Sequence, residues 1–393
     1  MKRTLTALTG ALAVLALCTS CTPGPGNGTG SGSKDPIRVG AISSLSGPSS
    51  FPEATQAAQA VFDRFNQAGG LNGRTIEYSV QDDKSDPGAA ASAARELVGQ
   101  NEVVAMVGSS SLLECQINSA YYTQEGISAI EGVAVDPVCF DSPAIAPTVV
   151  GPYGDTELSL TLGSEQLGLQ RICALIESVG STAPAYEQAI ARWSEQTGKR
   201  LVFSDTTLPY GLDDYTPYVV KAKAKNCDGV LLGLIEPDAL GFLKAAQTQG
   251  WDDTTFLSLT TVYTENFAAA AGGFVGKGLH VPAEFAPFTD PKDPATRDWR
   301  ELMTANKIPL TSFGQAGYLA ATNFIEVLKS LSGDVTRESV TAALKRMQPI
   351  ENPIIGSPWK FGNTPNRSGW PVALTPGATS WESTGDDWIR LPD

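Results

Sequence analysis

The feature that most constrains this fold is an alternation of short apolar runs with amphipathic stretches, which begins at Ile37 and begins again at Arg171. Ile37–Ile42 (IRVGAI) reads as a buried strand, and residues 55–68 place Val61, Phe62 and Phe65 on one helical face. Gly69–Gly70 stops that helix, and Asn72–Gly73 turns the chain into a strand over 74–80. Asp86 caps a helix with Pro87 in its first turn, running to Gly99. Val103–Val107 is a third strand, a third helix follows Ser111 and ends near Gly126, and Ile127–Ile130 is a fourth strand. Strands alternating with helices at this spacing predict a parallel, doubly wound α/β sheet.

The second series has the same rhythm. It reads as strands at 171–176, 201–204, 229–234 and 256–259, with helices at 186–197, 217–225 and 237–249. After His280 the pattern changes to helices over 315–331 and 337–347, then Trp- and Pro-rich loops. Roughly 355 residues exceed what one core usually supports, so two α/β lobes are expected. Ligands bind beyond the carboxyl ends of strands in such sheets. That directs attention to residues 43–51, 108–115, 131–135, 177–186, 234–237 and 260–263.

The chain starts with a different kind of segment. Lys2 and Arg3 precede a 13-residue apolar run, Leu5 to Leu17. A bilayer span needs roughly 20 apolar residues, so this run reads as a secretory signal. Ser20 before Cys21 resembles a lipoprotein cleavage site, although Cys18 stands where Leu is usual; an ordinary signal with a stray cysteine is the alternative. Residues 22–34 (TPGPGNGTGSGSK) form a flexible linker. The expectation is an exported chain, held by lipid on Cys21 at the outer face of the bacterial cytoplasmic membrane.

Export leaves Cys115, Cys139, Cys173 and Cys227, an even number in an oxidising compartment. Three pairings are possible. Cys115–Cys139 and Cys173–Cys227 are preferred because each stays inside one candidate lobe; buried free thiols are the alternative. No cysteine spacing suits zinc and His280 is the only histidine, so neither metal nor cofactor is expected. Removing Lys2 and Arg3 makes the formal net charge of −14 two units more negative. Such a chain is a poor partner for nucleic acid or anionic lipid.

Enzyme signatures are missing. A Ser–His–Asp or Cys–His site would need His280, which lies in GLHVP and reads as a structural residue at a strand end. There is no GxSxG elbow, and AGGFVGKG at 271–278 departs from a P-loop at Ala271 and Gly278. Ser109, Ser110 and Ser111 follow a strand and precede a helix. Hydroxyls and free N–H groups there suit an anionic or polar ligand group, or merely cap the helix.

Several blocks together resemble the type I periplasmic binding proteins of branched-chain amino acid ABC importers. They are IRVGAISSLSGP, FNQAGGLNGRTIEYSVQDD, VGSSS, VAVDP and VLLGLIEPDALGFLKAAQTQG, spread from Ile37 towards the C-terminus. The resemblance implies two Rossmann-like lobes joined by a three-crossover hinge: residues 36–150 with 283–360, and 151–282 with 361–393, after a leader (1–21) and linker (22–35). It implies a monomer that closes on a small molecule and hands it to a permease and ATPases.

The resemblance also maps a pocket. Leu112, Leu113, Glu114 and Cys115 fall where relatives carry a Ser-Ser-Ser-Thr run, and Val135 where a Thr is usual. Thr260 stands at the acidic position that takes a ligand ammonium, and Ile235 and Glu236 replace aromatic residues. Losing those hydroxyls removes the bonds that make a buried carboxylate tolerable, so the expected ligand is uncharged or cationic and not a standard amino acid. The candidate ligand residues are Phe51, Ser109, Ser110, Ser111, Leu113, Glu114, Glu131, Val133, Ala134, Thr182, Glu236, Thr260 and Tyr263. Phe51 would be an aromatic wall, or a core residue. Glu114, Glu131 and Glu236 would accept hydrogen bonds from the ligand, or be solvated carboxylates at helix starts. The alternative function is a sensing module that signals through a membrane partner.

Overall fold

The computed structural model describes residues 35–46, 50–178, 182–362 and 366–392. The leader, Cys21 and the linker through Lys34 lie outside them, as do residues 47–49 and 179–181 of two candidate segments. Among the described residues no helix is long and apolar enough to cross a membrane.

The first sheet is parallel. Its strands β1 (Ile37–Ser43), β2 (Ile76–Asp82), β3 (Ala105–Ser109), β4 (Ala129–Glu131) and β5 (Ile145–Pro147) lie in the order β2-β1-β3-β4-β5. Helices α1 (Pro52–Gln67), α2 (Pro87–Arg95), α3 (Glu114–Glu125) and the single turn α4 (Val138–Asp141) connect them. The chain then runs through α5 (Gly151–Thr161) into a second sheet. There β6 (Ile172–Glu177), β7 (Phe203–Leu208), β8 (Gly229–Gly233), β9 (Thr255–Ser258) and β10 (Leu279–Ala283) are parallel in the order β10-β9-β8-β6-β7. Their helices are α6 (Ala183–Thr197), α7 (Thr216–Lys223), α8 (Glu236–Thr248) and α9 (Glu265–Ala271). Next come α10 (Arg297–Ala305), α11 (Ser312–Lys329) and α12 (Arg337–Arg346); α11 packs on α1, β3 and β4 of the first sheet. The chain finally returns to pair β11 (Ser368–Leu374) antiparallel with β10, and the two-residue strands β12 (Glu382–Ser383) and β13 (Ile389–Arg390) pair with β11. It therefore passes between the sheets three times, a mixed α/β fold with two lobes.

Three parts of the sequence reading are corrected. The second strand begins and ends two residues later than its apolar pattern, because the β1 ladder runs unbroken from Ile37↔Ile76 to Ser43↔Asp82 and holds polar Gln81 and Asp82 in place. The strand read at 201–204 is Phe203–Leu208 for the same reason, since β6 supplies its partners. The loops read after Met347 contain β11. Pro371 argued against a strand, yet it sits opposite Pro282 of β10, where neither proline is asked to donate.

Both preferred disulfides are present. Cys115 joins Cys139 with the Cα atoms 5.2 Å apart, and Cys173 joins Cys227 at 5.9 Å. The first ties α3 to α4; the second ties β6 to the start of β8. Neither spans the two sheets.

The ends of α1 and α11 press closely together. A Cβ on Gly317 would lie 1.9 Å from the Ala54 carbonyl oxygen, and one on Gly132 would lie 3.4 Å from the Ala54 Cβ. Overpacking a well-filled core costs roughly 1–3 kcal/mol or more. Gly317→Ala should therefore lower the stability of the folded chain by about 2–3 kcal/mol, read from the urea midpoint; an unchanged midpoint would show that the two helices slide apart freely.

Candidate functional site

The carboxyl ends of β1, β3 and β4 form one surface. Gly108, at φ +76°, turns the chain out of β3 into the three serines. Each hydroxyl is used within the lobe. Ser109 Oγ accepts from the Ile42 N–H at 3.2 Å, and Ser110 Oγ shares a hydrogen bond with Ser43 Oγ at 2.6 Å. Ser111 Oγ donates to the Asp83 carboxylate and accepts from the Leu113 and Glu114 N–H groups at 3.1 and 3.0 Å. The serines thus tie β1 to β3 and cap α3, and Leu113 is half-buried beside them. Val133 and Ala134, after β4, are buried.

Glu114 and Glu131 are not solvated carboxylates. Both are fully buried. Tyr122 donates its hydroxyl to Glu114 Oε1 at 2.5 Å, while Glu114 Oε2 and both oxygens of Glu131 have no partner. Burial pushes the Glu114 carboxyl up to about 8, against the hydroxyls of Tyr122 and Ser109, with Asp83 adding to the rise. Burial and the neighbouring Glu114 push Glu131 well above the carboxylate range. Burial and mutual repulsion thus favour the protonated forms of this interior pair.

The matching surface on the second sheet lies at the ends of β6, β8 and β9. Glu177 closes β6 and accepts from the Ile235 N–H at 3.0 Å; burial, then Asp238, push it up to about 9. Glu236 opens α8, is half-buried and accepts from the Thr264 hydroxyl at 2.6 Å. Burial raises it, and Glu53 of α1 adds repulsion from the other lobe. Thr182 precedes α6 and is buried. Thr260 donates its N–H to Asp155 at 2.6 Å and its hydroxyl to the Pro282 carbonyl at 3.4 Å. Tyr263 is a core residue: its ring lies 4.4 Å from Phe288 and 5.4 Å from Trp381, with 1 % of its surface exposed.

Two contacts bring the surfaces together. The Tyr153 hydroxyl of α5 donates to the Val135 carbonyl at 2.9 Å. Glu284, on the second passage, accepts from the Gly151 N–H of the first at 2.8 Å and receives Asn366 Nδ2 of the third on its carbonyl at 2.8 Å. Phe51 is half-buried, with its ring 4.4 Å from Phe313 at the start of α11.

Sequence reasoning missed Phe313, Tyr153, Asp155 and Glu53. The last was within reach, because an acid in the first turn after Phe51-Pro52 sits beyond the end of β1. His280 lies in β10, where burial lowers its imidazole.

A family model described as periplasmic binding protein matches residues 36–375. An amino acid binding protein of Pseudomonas aeruginosa is 26% identical over 225 residues, 56% of this chain and 58% of its own length. The chain thus spans little more than half of that relative. A leucine-, isoleucine-, valine-, threonine- and alanine-binding protein from the same organism is 24% identical over 342 residues, covering 81% of this chain and 84% of the relative. The solved structure of the substrate-binding protein LivJ of Streptococcus pneumoniae, in complex with isoleucine, superposes with a TM-score of 0.75 at 18% identity, covering 91% of this chain and all of that one. A fatty acid ABC transporter substrate-binding protein from Thermomonospora curvata gives 0.76 at 21% identity, over 91% and 93% of the two chains.

The interior acids set a pH dependence. Glu114 and Glu131 have folded-state affinities for protons above the unfolded value of 4.5. Their contribution is complete below that value; that of Glu114 is lost as pH rises through about 8, and that of Glu131 as pH rises through its own raised folded-state affinity. Each such group costs at most about 1.4 kcal/mol per pH unit across that window. Glu131→Gln should keep its stability at pH 5 and exceed the parent at pH 8, in paired urea titrations; an equal loss in both proteins would mean that Glu131 is ionised in the fold.

Proposed function

Because the chain belongs to the periplasmic binding protein family, we propose that it is an extracytoplasmic solute receptor. It captures a small organic molecule between its lobes and delivers it to an ABC importer, without catalysing a reaction. In this reading Cys21 carries the lipid anchor and the following Gly/Ser-rich linker lets a monomeric receptor turn towards its permease. The lobes are residues 36–150 with 283–360 and residues 151–282 with 361–393.

The ligand is uncharged or cationic. The observation that supports this is the disposition of charge and hydroxyls at the strand ends. The hydroxyls of Ser109, Ser110 and Ser111 are committed to partners within the lobe. Glu53 and Glu236 come from opposite lobes, both are raised chiefly by burial, and the charge of Glu53 adds to the rise of Glu236. Among the described residues, a buried carboxylate on the ligand would have the unpartnered Ser44 hydroxyl as a donor, but it would also face the two acids. An amine, amide or hydroxyl would find acceptors at Glu236, and an apolar body could rest on Phe51 and Phe313. Ligand contact with both lobes is what shifts such a molecule towards a closed state.

A thermal-shift screen over amino acids, amides, polyamines, purines and sugars tests the reading. A ligand present at 100-fold its Kd should add about 2.7 kcal/mol of apparent stability, and small-angle scattering should show a smaller radius with it bound. Leucine, isoleucine or valine closing the lobes at micromolar affinity would overturn the ligand class. A tight ligand that leaves the radius unchanged would overturn the closure.

A further inference from the structure

Beside the passages between the sheets lies a cavity of about 220 Å³. It shares Tyr153 with the strand-end site, and α4, α5, α6 and the C-terminal segment wall it. Its apolar side is made by Phe140, Val150, Ala185 and Leu391. Its polar side is unusual for a chain this acidic. Arg192 of α6 donates from Nε and a terminal nitrogen to Glu157 Oε1 of α5, at 2.8 and 2.6 Å. Burial raises the Glu157 carboxyl, while the hydrogen bond and charge of Arg192 and then the charge of Arg367 oppose that rise. One terminal nitrogen of Arg367 donates to the Pro392 carbonyl, and its Nε is buried without a partner. Asp141 is exposed at the rim and has an interaction of its own. Among the described residues the cavity thus sets two guanidinium groups beside the Glu157 carboxylate, with the Asp141 carboxylate at the rim, next to an aromatic and aliphatic face.

We infer that this cavity is a second small-molecule site, for an organic carboxylate with an apolar body. The carboxylate accepts from the guanidinium groups of Arg192 and Arg367, and the body rests on Phe140, Val150 and Leu391. Arg192 already places Nε and one terminal nitrogen on Glu157, so the donors left for the ligand are its other terminal nitrogen and the unpartnered Nε of Arg367, each part of a charge-assisted hydrogen bond. The strand-end site presents the opposite charge, so the two sites select different ligands and the inference stands apart from the ligand class proposed there. The cavity is walled by both lobes, with Pro137 and Phe140 on one side and Ala185 and Arg192 on the other. An occupant bridges the parts that would move on closure.

Benzoate and isovalerate are the probes, with benzamide as the uncharged counterpart, titrated calorimetrically into the full extracytoplasmic chain. The carboxylates should bind saturably and benzamide at least tenfold more weakly. Arg192→Gln and Arg367→Gln should each weaken benzoate at least tenfold, and Ala185→Trp, which fills the cavity, should abolish it. Phe313→Ala, at the strand ends, should leave benzoate binding intact. Arg192→Gln keeps the Arg367–Pro392 contact, so a folding defect in one variant does not decide the result. Absence of benzoate and isovalerate binding at 10 mM, equal binding of benzamide, or loss of binding only in Phe313→Ala would each overturn the inference.

Discussion

Glu284 is where the three passages between the sheets meet. Its carboxylate accepts from the Gly151 N–H on the first passage, and its own carbonyl receives Asn366 on the third. It lies at the end of β10, and its backbone N–H donates to the Thr260 hydroxyl at 3.3 Å. A fully buried carboxyl is expensive unless its partners are fixed. Here they are backbone N–H groups of the first passage, Gly151 and Val150, so the side chain and the passage hold one another. Burial pushes Glu284 up to about 7; burial, and then the charge of Glu284, raise Asp155 of α5, whose carboxylate holds Thr260. The elements that place the strand ends of the second sheet are therefore linked through two acids that disfavour each other's charge.

The topology follows from how the first sheet is completed. Strands β1 to β5 come from the first part of the chain, but one face of that sheet is covered by α11, which arrives only after the second sheet is built. The chain has to cross and return. Gly317 lets α11 and α1 approach to backbone distance, and Phe313 lies beside Phe51 at this close fit. Each disulfide joins elements that belong to one sheet or to its connecting helices. The covalent links stiffen the lobes and leave the passages between them to hydrogen bonds and packing.

Strand-and-helix rhythm was legible in the sequence because both sheets are parallel and buried, so their strands are apolar runs and their helices carry one apolar face. What escaped was built from polar or proline-bearing residues. Helix α5 buries Asp155, Thr156, Glu157 and Ser159 among its neighbours, so no apolar stripe marks it. Strand β11 hides Pro371 opposite another proline. At the site, the residue types of Ser109–Ser111 were visible but their partners were not. A hydroxyl at a helix start caps or binds according to what lies across the sheet, and Ser43, Ile42 and Asp83 are distant in sequence. Glu114 and Glu131 show the same limit: a carboxyl after a strand reads as solvated until Tyr122 and a closed interior are placed around it.

Tyr153 joins the two regions of chemistry in the molecule. Its hydroxyl is fixed on the Val135 carbonyl at the end of the first sheet, and its ring packs edge-on against Tyr186 of α6 at 5.0 Å and Phe140 at 6.3 Å. One side of that ring column faces acids that burial keeps short of charge, Asp155 and Glu177; the other faces the shared carboxylate of Glu157 and its two guanidinium groups. Any rotation of the second sheet against the first must carry α5 and α6 past Val135 and Phe140. If the lobes rotate as proposed, the packed rings of Tyr153, Tyr186 and Phe140 are the contacts through which the strand ends would meet the flanking cavity.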